Sequence, residues 1–170
     1  MIYTDAMTYF KERYSIPNTA EDFVQFTSDG LNDFYKNTAK AKDGAKELLS
    51  YLKKKNVTLC LASASAMPQV TYVLQYHDLL KYFDFVLSCA DIGVGKERPD
   101  IYLLAKDRMG LSPSEICVFE DSYVALETAK NAGFQTVGVY DQYSPGQERL
   151  KNVADVYLDK TQTLKAFIAE

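Results

Sequence analysis

The sequence is poor in the residues that build disulfide-linked, zinc-binding or nucleic-acid-binding proteins. Its 170 residues include only three cysteines, Cys60, Cys89 and Cys117, which are far apart and show no paired spacing. This pattern does not suggest a disulfide framework or a zinc site, so a reducing, cytoplasmic setting is expected. No run of five or more Lys or Arg occurs and the net charge is −4, which argues against nucleic acid or an acidic membrane as a partner. No apolar stretch approaches the length of a membrane span.

The composition is that of a soluble globular protein. Hydrophobic residues make up 47% and charged residues 25% of the chain, and the length suits one domain with a small appendage. Residues 1–42 are polar with irregularly spaced aromatics, which indicates two or three short helices. From Asp43, a candidate N-cap, the pattern becomes regular, so we place a domain boundary between residues 42 and 43.

Short apolar runs alternate with amphipathic helices throughout residues 43–170. Such an alternation predicts an α/β fold with a doubly wound, mostly parallel, Rossmann-like sheet. Cys60 and Cys117, which stand within apolar runs, are expected to be small buried hydrophobes. The predicted strands are 57–62, 83–88, 116–119, 136–139 and 155–158, and the predicted helices are 45–52, 68–76, 100–109, 123–132 and 163–169.

Polar residues follow the predicted strands, at the sheet edge where ligands bind in such folds. They are Ser63-Ala64-Ser65, Glu120-Asp121-Ser122 and Asp141. The adjacent carboxylates of Glu120 and Asp121 suit Mg²⁺, a hard cation that prefers oxygen ligands. The alternative is that Asp121 or Ser122 only caps the following helix.

Two further residues are candidates for binding phosphate. Lys96 lies in a loop leading into a helix, where its ammonium could contact a phosphate, although a solvated loop lysine is the simpler interpretation. The Ser63 hydroxyl and neighbouring N–H groups could hold a phosphoryl oxygen, although Ser63 could equally be a turn serine. The loop around Lys96 is not a Walker-A loop, because Glu97 follows the lysine.

Taken in order, these segments resemble the motifs of the haloacid dehalogenase superfamily, and in particular its phosphoglycolate phosphatase and β-phosphoglucomutase branch. The resemblance rests on four motifs with family-like spacing, and it covers about residues 43–139. The motifs are Leu61-Ala62-Ser63-Ala64-Ser65, Tyr82-Phe83-Asp84, Gly95-Lys96-x-x-Pro99-Asp100-Ile101-Tyr102 and Val118-Phe119-Glu120-Asp121-Ser122.

The resemblance implies a Mg²⁺-dependent hydrolase of a small phosphorylated metabolite that works through an aspartyl-phosphate. Ser63 and Ala64 would bind the phosphoryl oxygens, and Lys96 would bridge the phosphate and the nucleophile. Glu120 and Asp121 would hold Mg²⁺, with Asp121 the direct ligand. Residues 1–42 would form an abbreviated helical cap, and residues 43–170 the core domain.

The family's first motif, a strand ending in Asp-x-Asp-Gly-Thr, does not occur in this sequence. The one candidate nucleophile, Asp5, has no second carboxylate or glycine beside it, so the match is weak. In the family this strand lies between the strands that here end at Ser63 and Glu120. We therefore expect a truncated or inactive chain, or another segment in that place. The alternative function is a non-catalytic relative that binds a ligand or a protein.

Overall fold

The computed structural model of the chain describes residues 9, 11–14, 29–31 and 33–168. Within the N-terminal part, residues 11–14 and 33–37 are helical. Asp5 and most of the proposed cap lie outside the described residues. No helix in the described part is long and apolar enough to cross a membrane.

Helices and strands alternate from residue 45 onward. The helices are α1 (Ala45–Lys54), α2 (Met67–Tyr76), α3 (Cys89–Ile92), α4 (Asp100–Met109), α5 (Tyr123–Asn131) and α6 (Gln147–Val153). The strands are β1 (Cys60–Ser63), β2 (Phe85–Ser88), β3 (Cys117–Glu120), β4 (Gln135–Val139) and β5 (Val156–Leu158). Three short 3₁₀ helices complete the series, at Leu80–Tyr82, Pro113–Glu115 and Leu164–Phe167.

Every strand pair among the described residues is parallel. β1 pairs with β2, and β3, β4 and β5 pair in that order. Parallel strands need crossover connections, which the intervening helices supply. The predicted α/β class with parallel strands is therefore confirmed, but the strands form two sheets of two and three strands.

Helix α4 joins the two sheets through a common core. Its boundaries match the prediction, because Pro99 occupies the N-cap and Gly110 ends the helix with a left-handed φ of 66°. Ile101, Tyr102 and Ala105 are buried on its inner face. The same cluster contacts β1 and β3, with Ala62 and Val118 packed against it. Both sheets thus pack against one core that α4 helps to form.

Strand β1 pairs on one side only, with β2, and β3 pairs on one side only, with β4. Their other edges do not pair with each other or with any other described strand. Strands covered on both faces should be buried, yet Phe119 is 37% exposed and Cys117 is also exposed. The prediction that Cys117 is a buried hydrophobe was wrong. On this face of β3, the Phe119 ring has an edge contact with Phe167, with centroids 5.1 Å apart.

Several predicted boundaries were also wrong. The first strand begins at Cys60, and Val57 is 41% exposed, so its apolar side chain does not enter the sheet. The last helix is only the 3₁₀ turn Leu164–Phe167. Gly44, with φ 82°, precedes α1 in place of the predicted N-cap Asp43.

Gly44 is a site where we expect a large loss of stability from a single added methyl group. A Cβ there would lie 2.7 Å from the backbone nitrogen of Lys165, at a left-handed φ of 82°. Gly44→Ala should lower the free energy of unfolding by about 2–4 kcal/mol, because strain and a backbone clash combine. Urea denaturation measures this loss. At Gly110, φ is also left-handed but an added Cβ would meet open space, so Gly110→Ala should lower the free energy of unfolding by only about 1 kcal/mol. Equal losses in the two variants would contradict a clash at Gly44.

Candidate functional site

The structure brings Lys96 and Glu120 together at the carboxyl end of β3. Glu120 is the last residue of β3, and Lys96 lies in the loop between α3 and α4. The Lys96 Nζ donates a hydrogen bond to Glu120 Oε1 and forms an ion pair with it. Because the two side chains are only 20% and 8% exposed, the pair is largely removed from water. Lys96 is thus not a solvated loop lysine.

A third side chain, Tyr102, contacts the same carboxylate. Its hydroxyl donates to Glu120 Oε1 at 3.1 Å, and the residue is 3% exposed. Burial and the nearby Glu120 charge raise the pKa of the Tyr102 phenol far above its ordinary value, so the hydroxyl keeps its proton and acts as a donor. The sequence pattern alone indicates no role for Tyr102, although a buried Tyr usually needs a hydrogen-bond partner.

The residue that caps α5 is Ser122 rather than Asp121. The Ser122 Oγ accepts from the Ala125 backbone N–H at 3.5 Å. Asp121 is half-buried and has no hydrogen bond or ion pair with any described residue. Its carboxylate therefore remains available at the strand end, beside Glu120.

The two carboxylates provide oxygens that suit a divalent cation. Glu120 Oε2 is part of a buried side chain and has no donor among the described residues. A buried carboxylate oxygen without a donor is costly unless a cation or water satisfies it. No group of three or more His, Cys, Asp or Glu in the described part could hold a metal. Mg²⁺ nevertheless fits two carboxylates, because it retains waters and often binds substrate phosphate as well.

Ser63 and Ala64 occupy the turn that follows β1. The Ser63 Oγ accepts from the Ser65 backbone N–H at 3.1 Å, which makes Ser63 a turn serine whose hydroxyl has no acceptor among the described residues. Ala64 is exposed. The Ser88 hydroxyl donates to the Ser65 carbonyl at 2.8 Å and is itself buried, so the turn is anchored to β2. No direct contact links Ser63 to Lys96 or Glu120 within the described residues.

Asp141, which follows β4, forms an ion pair with Lys42. Partial burial would raise the pKa of Asp141, but hydrogen bonds from Lys42 Nζ, at 2.5 Å, and from the Tyr143 N–H lower it. Lys42 also donates to the Tyr140 carbonyl at 3.3 Å. A cavity of about 350 Å³ beside this pair is lined by residues of the 42–43 and 158–164 segments and by Val139 and Tyr140. It contains none of the predicted site residues.

A known protein family matches most of the chain. The family model described as haloacid dehalogenase-like hydrolase matches residues 4–133. The chain belongs to the haloacid dehalogenase-like hydrolase family. This confirms the predicted family and its class of hydrolytic enzymes.

Phosphatases and a phosphomutase-like protein are among the similar proteins. The phosphorylated carbohydrates phosphatase of Thermotoga maritima is 29% identical over 148 residues, or 86% of this chain and 68% of that protein. The phosphoglycolate phosphatase of Escherichia coli is 33% identical over 101 residues, or 59% of this chain and 40% of that protein. The crystal structure of a putative β-phosphoglucomutase from Thermotoga maritima is 28% identical, with a TM-score of 0.76 over 94% of this chain and 74% of that one.

Proposed function

We propose that this chain carries the phosphate-binding and Mg²⁺-binding part of a phosphatase or phosphomutase-like hydrolase that acts on a small phosphorylated metabolite. The observation that carries the proposal is the ion pair of Lys96 with Glu120 at the carboxyl end of β3, where Asp121 is the next residue along the chain. This group presents one cation and two carboxylates at the sheet edge where α/β proteins bind ligands.

Each residue has a distinct proposed role. Asp121, which has no partner among the described residues, would bind the cation directly, and Glu120 would offer its second oxygen to the cation or to a bound water. Lys96, held by Glu120, would place its ammonium against a phosphoryl oxygen. Mg²⁺, when bound, would neutralise phosphoryl charge. Ser63 and the N–H of Ala64 would donate to the remaining phosphoryl oxygens.

The nucleophile that the family uses is the part that this sequence does not provide. Aspartyl-phosphate chemistry requires a carboxylate that attacks phosphorus and a second group that transfers a proton. No Asp-x-Asp occurs among the 170 residues. We therefore propose that the chain as written binds Mg²⁺ and phosphate but does not turn over substrate by itself.

Hydrolysis of p-nitrophenyl phosphate tests this function in two versions of the protein. The 170-residue chain should show no Mg²⁺-dependent hydrolysis, whereas a version with an added upstream strand ending in Asp-x-Asp-Gly-Thr should gain it. In that longer version, Lys96→Ala should lower the rate by at least about a hundredfold, because the phosphoryl charge loses its counterion. A longer version that folds and binds Mg²⁺ but stays inactive would contradict the hydrolase.

A second function, a non-catalytic module that binds a ligand or a protein, is favoured by the absence of an Asp-x-Asp motif. It predicts a stable, monodisperse 170-residue chain whose melting temperature does not respond to Mg²⁺ with phosphate. The hydrolase proposal predicts an increase under the same conditions. Differential scanning fluorimetry with both additives distinguishes the two.

A further inference from the structure

Tyr102 is the last residue of the third motif, and its contact with Glu120 is not among the roles that the resemblance implies. Its hydroxyl and the Lys96 Nζ both donate to one oxygen of Glu120, Oε1. Two donors on one oxygen fix the carboxylate plane, and the second oxygen, Oε2, has no donor among the described residues. Glu120 is therefore held in an orientation that leaves Oε2 without a donor among the described residues.

The tyrosine is itself held in place by packing. The residue is 3% exposed and lies in the first turn of α4, next to the buried Ile101. Its ring packs at a tilt against Phe134, with centroids 6.1 Å apart. Because the helix and the core fix the ring, the hydroxyl has little freedom to move away from Glu120. A rigid helix is a more exact support for a site than a loop.

We propose that Tyr102 is a positioning residue that orients Glu120 for the cation. This inference rests on the proposed function, because it assumes that the cation binds beside Glu120 and Asp121. Hydrogen bonds from neighbours to a ligating carboxylate commonly set its orientation and its affinity for a metal. Tyr102 does not touch the cation or the phosphate in this role; it acts through Glu120.

Binding of Mn²⁺, a spectroscopic substitute for Mg²⁺, tests the proposal without any enzymatic turnover. The free Mn²⁺ signal is followed by electron paramagnetic resonance during titration of the 170-residue chain in the presence of inorganic phosphate. Tyr102→Phe should raise the Kd for Mn²⁺ about tenfold, the low end of the effect of removing a residue that supports a metal ligand. An unchanged Kd, within about twofold, would overturn the role of Tyr102.

Two controls separate positioning from a general loss of structure. Leu150→Val removes buried volume from α6, outside the core cluster that contains Tyr102, so it should lower the melting temperature and leave the Kd for Mn²⁺ unchanged. In a Glu120→Ala background, Tyr102→Phe should produce no further change in Kd, because Tyr102 acts only through Glu120. Equal effects of Leu150→Val and Tyr102→Phe on the Kd, or full additivity with Glu120→Ala, would contradict the proposal.

The outcomes also separate this proposal from the proposed function. If the unmodified chain binds Mn²⁺ and Tyr102→Phe binds it equally well, the cation site stands and only the positioning role fails. If the unmodified chain does not bind Mn²⁺ with phosphate, the proposed site fails, and the role of Tyr102 fails with it.

Discussion

Lys96→Ala is expected to lower the free energy of unfolding by about 3 kcal/mol, because it leaves the Glu120 carboxylate buried without its counterion. The estimate lies at the low end for a broken buried pair, since Tyr102 still donates to the same oxygen. The measurement is urea denaturation at neutral pH. The same variant should lose phosphate binding, because it removes the ammonium that we propose to contact a phosphoryl oxygen. In the described part of the chain, Lys96 is the one cation that contacts Glu120.

A compensating change tests whether the buried charge causes this loss. In Lys96→Met combined with Glu120→Gln, both charges are removed, while the amide oxygen can still accept from Tyr102. The double variant should therefore recover about 1–3 kcal/mol relative to the sum of the single variants. If the two losses simply add, Lys96 and Glu120 do not depend on each other for stability.

Asp121→Asn should weaken Mg²⁺ binding in the presence of phosphate at least about tenfold, because Mg²⁺ prefers charged oxygen ligands. The amide keeps the shape of the side chain but loses its negative charge. Ser122 still caps α5 in the variant, so the fold should be preserved. Isothermal titration calorimetry measures the affinity, and circular dichroism checks the helix content.

Asp141→Asn is the matched control for this substitution. Asp141 also follows a strand of the three-stranded sheet, but it pairs with Lys42. Its replacement should leave the affinity for Mg²⁺ unchanged. An equal loss in both variants would mean that general negative charge at the sheet edge, rather than a specific ligand at Asp121, attracts the cation.

The elements with strong local signals could be predicted from the sequence. Helix α4 was predicted with its observed bounds, because Pro99 and Gly110 mark its ends chemically. Helix α6, in contrast, was not predicted. Its sequence is mostly polar, and its position depends on tertiary contacts of Leu150, which is fully buried. Short polar helices of this kind carry little periodic pattern.

The burial of β3 could not be predicted from its own residues. An apolar run such as the one around Phe119 predicts a strand covered on both faces, but exposure depends on which strands pair beside it. In the described residues, β3 pairs only with β4. The expectation that the family's first motif does not fill the position between the strands ending at Ser63 and Glu120 stays a prediction.

The candidate site could be predicted only in part, because some of its contacts depend on tertiary packing. The residues at the strand ends, Glu120 and Asp121, follow from the order of elements along the chain. The contact of Lys96 with Glu120 joins a loop to a strand 24 positions away, and that of Tyr102 spans 18 positions. Such contacts depend on how α4 packs across the sheet, which periodicity does not specify.

The central claim is that one site in this chain binds Mg²⁺ and phosphate together, and thermal unfolding of the 170-residue protein tests it directly. Mg²⁺ and inorganic phosphate at about 100 times Kd should stabilise the unmodified chain by about 2.7 kcal/mol, and together they should stabilise it more than the sum of their separate effects. Lys96→Ala should abolish that gain, and Asp121→Asn should reduce it to about 1.4 kcal/mol or less, the value expected for a Kd at least tenfold weaker. Absence of any shift in the unmodified chain, or an undiminished shift in both variants, would contradict the account.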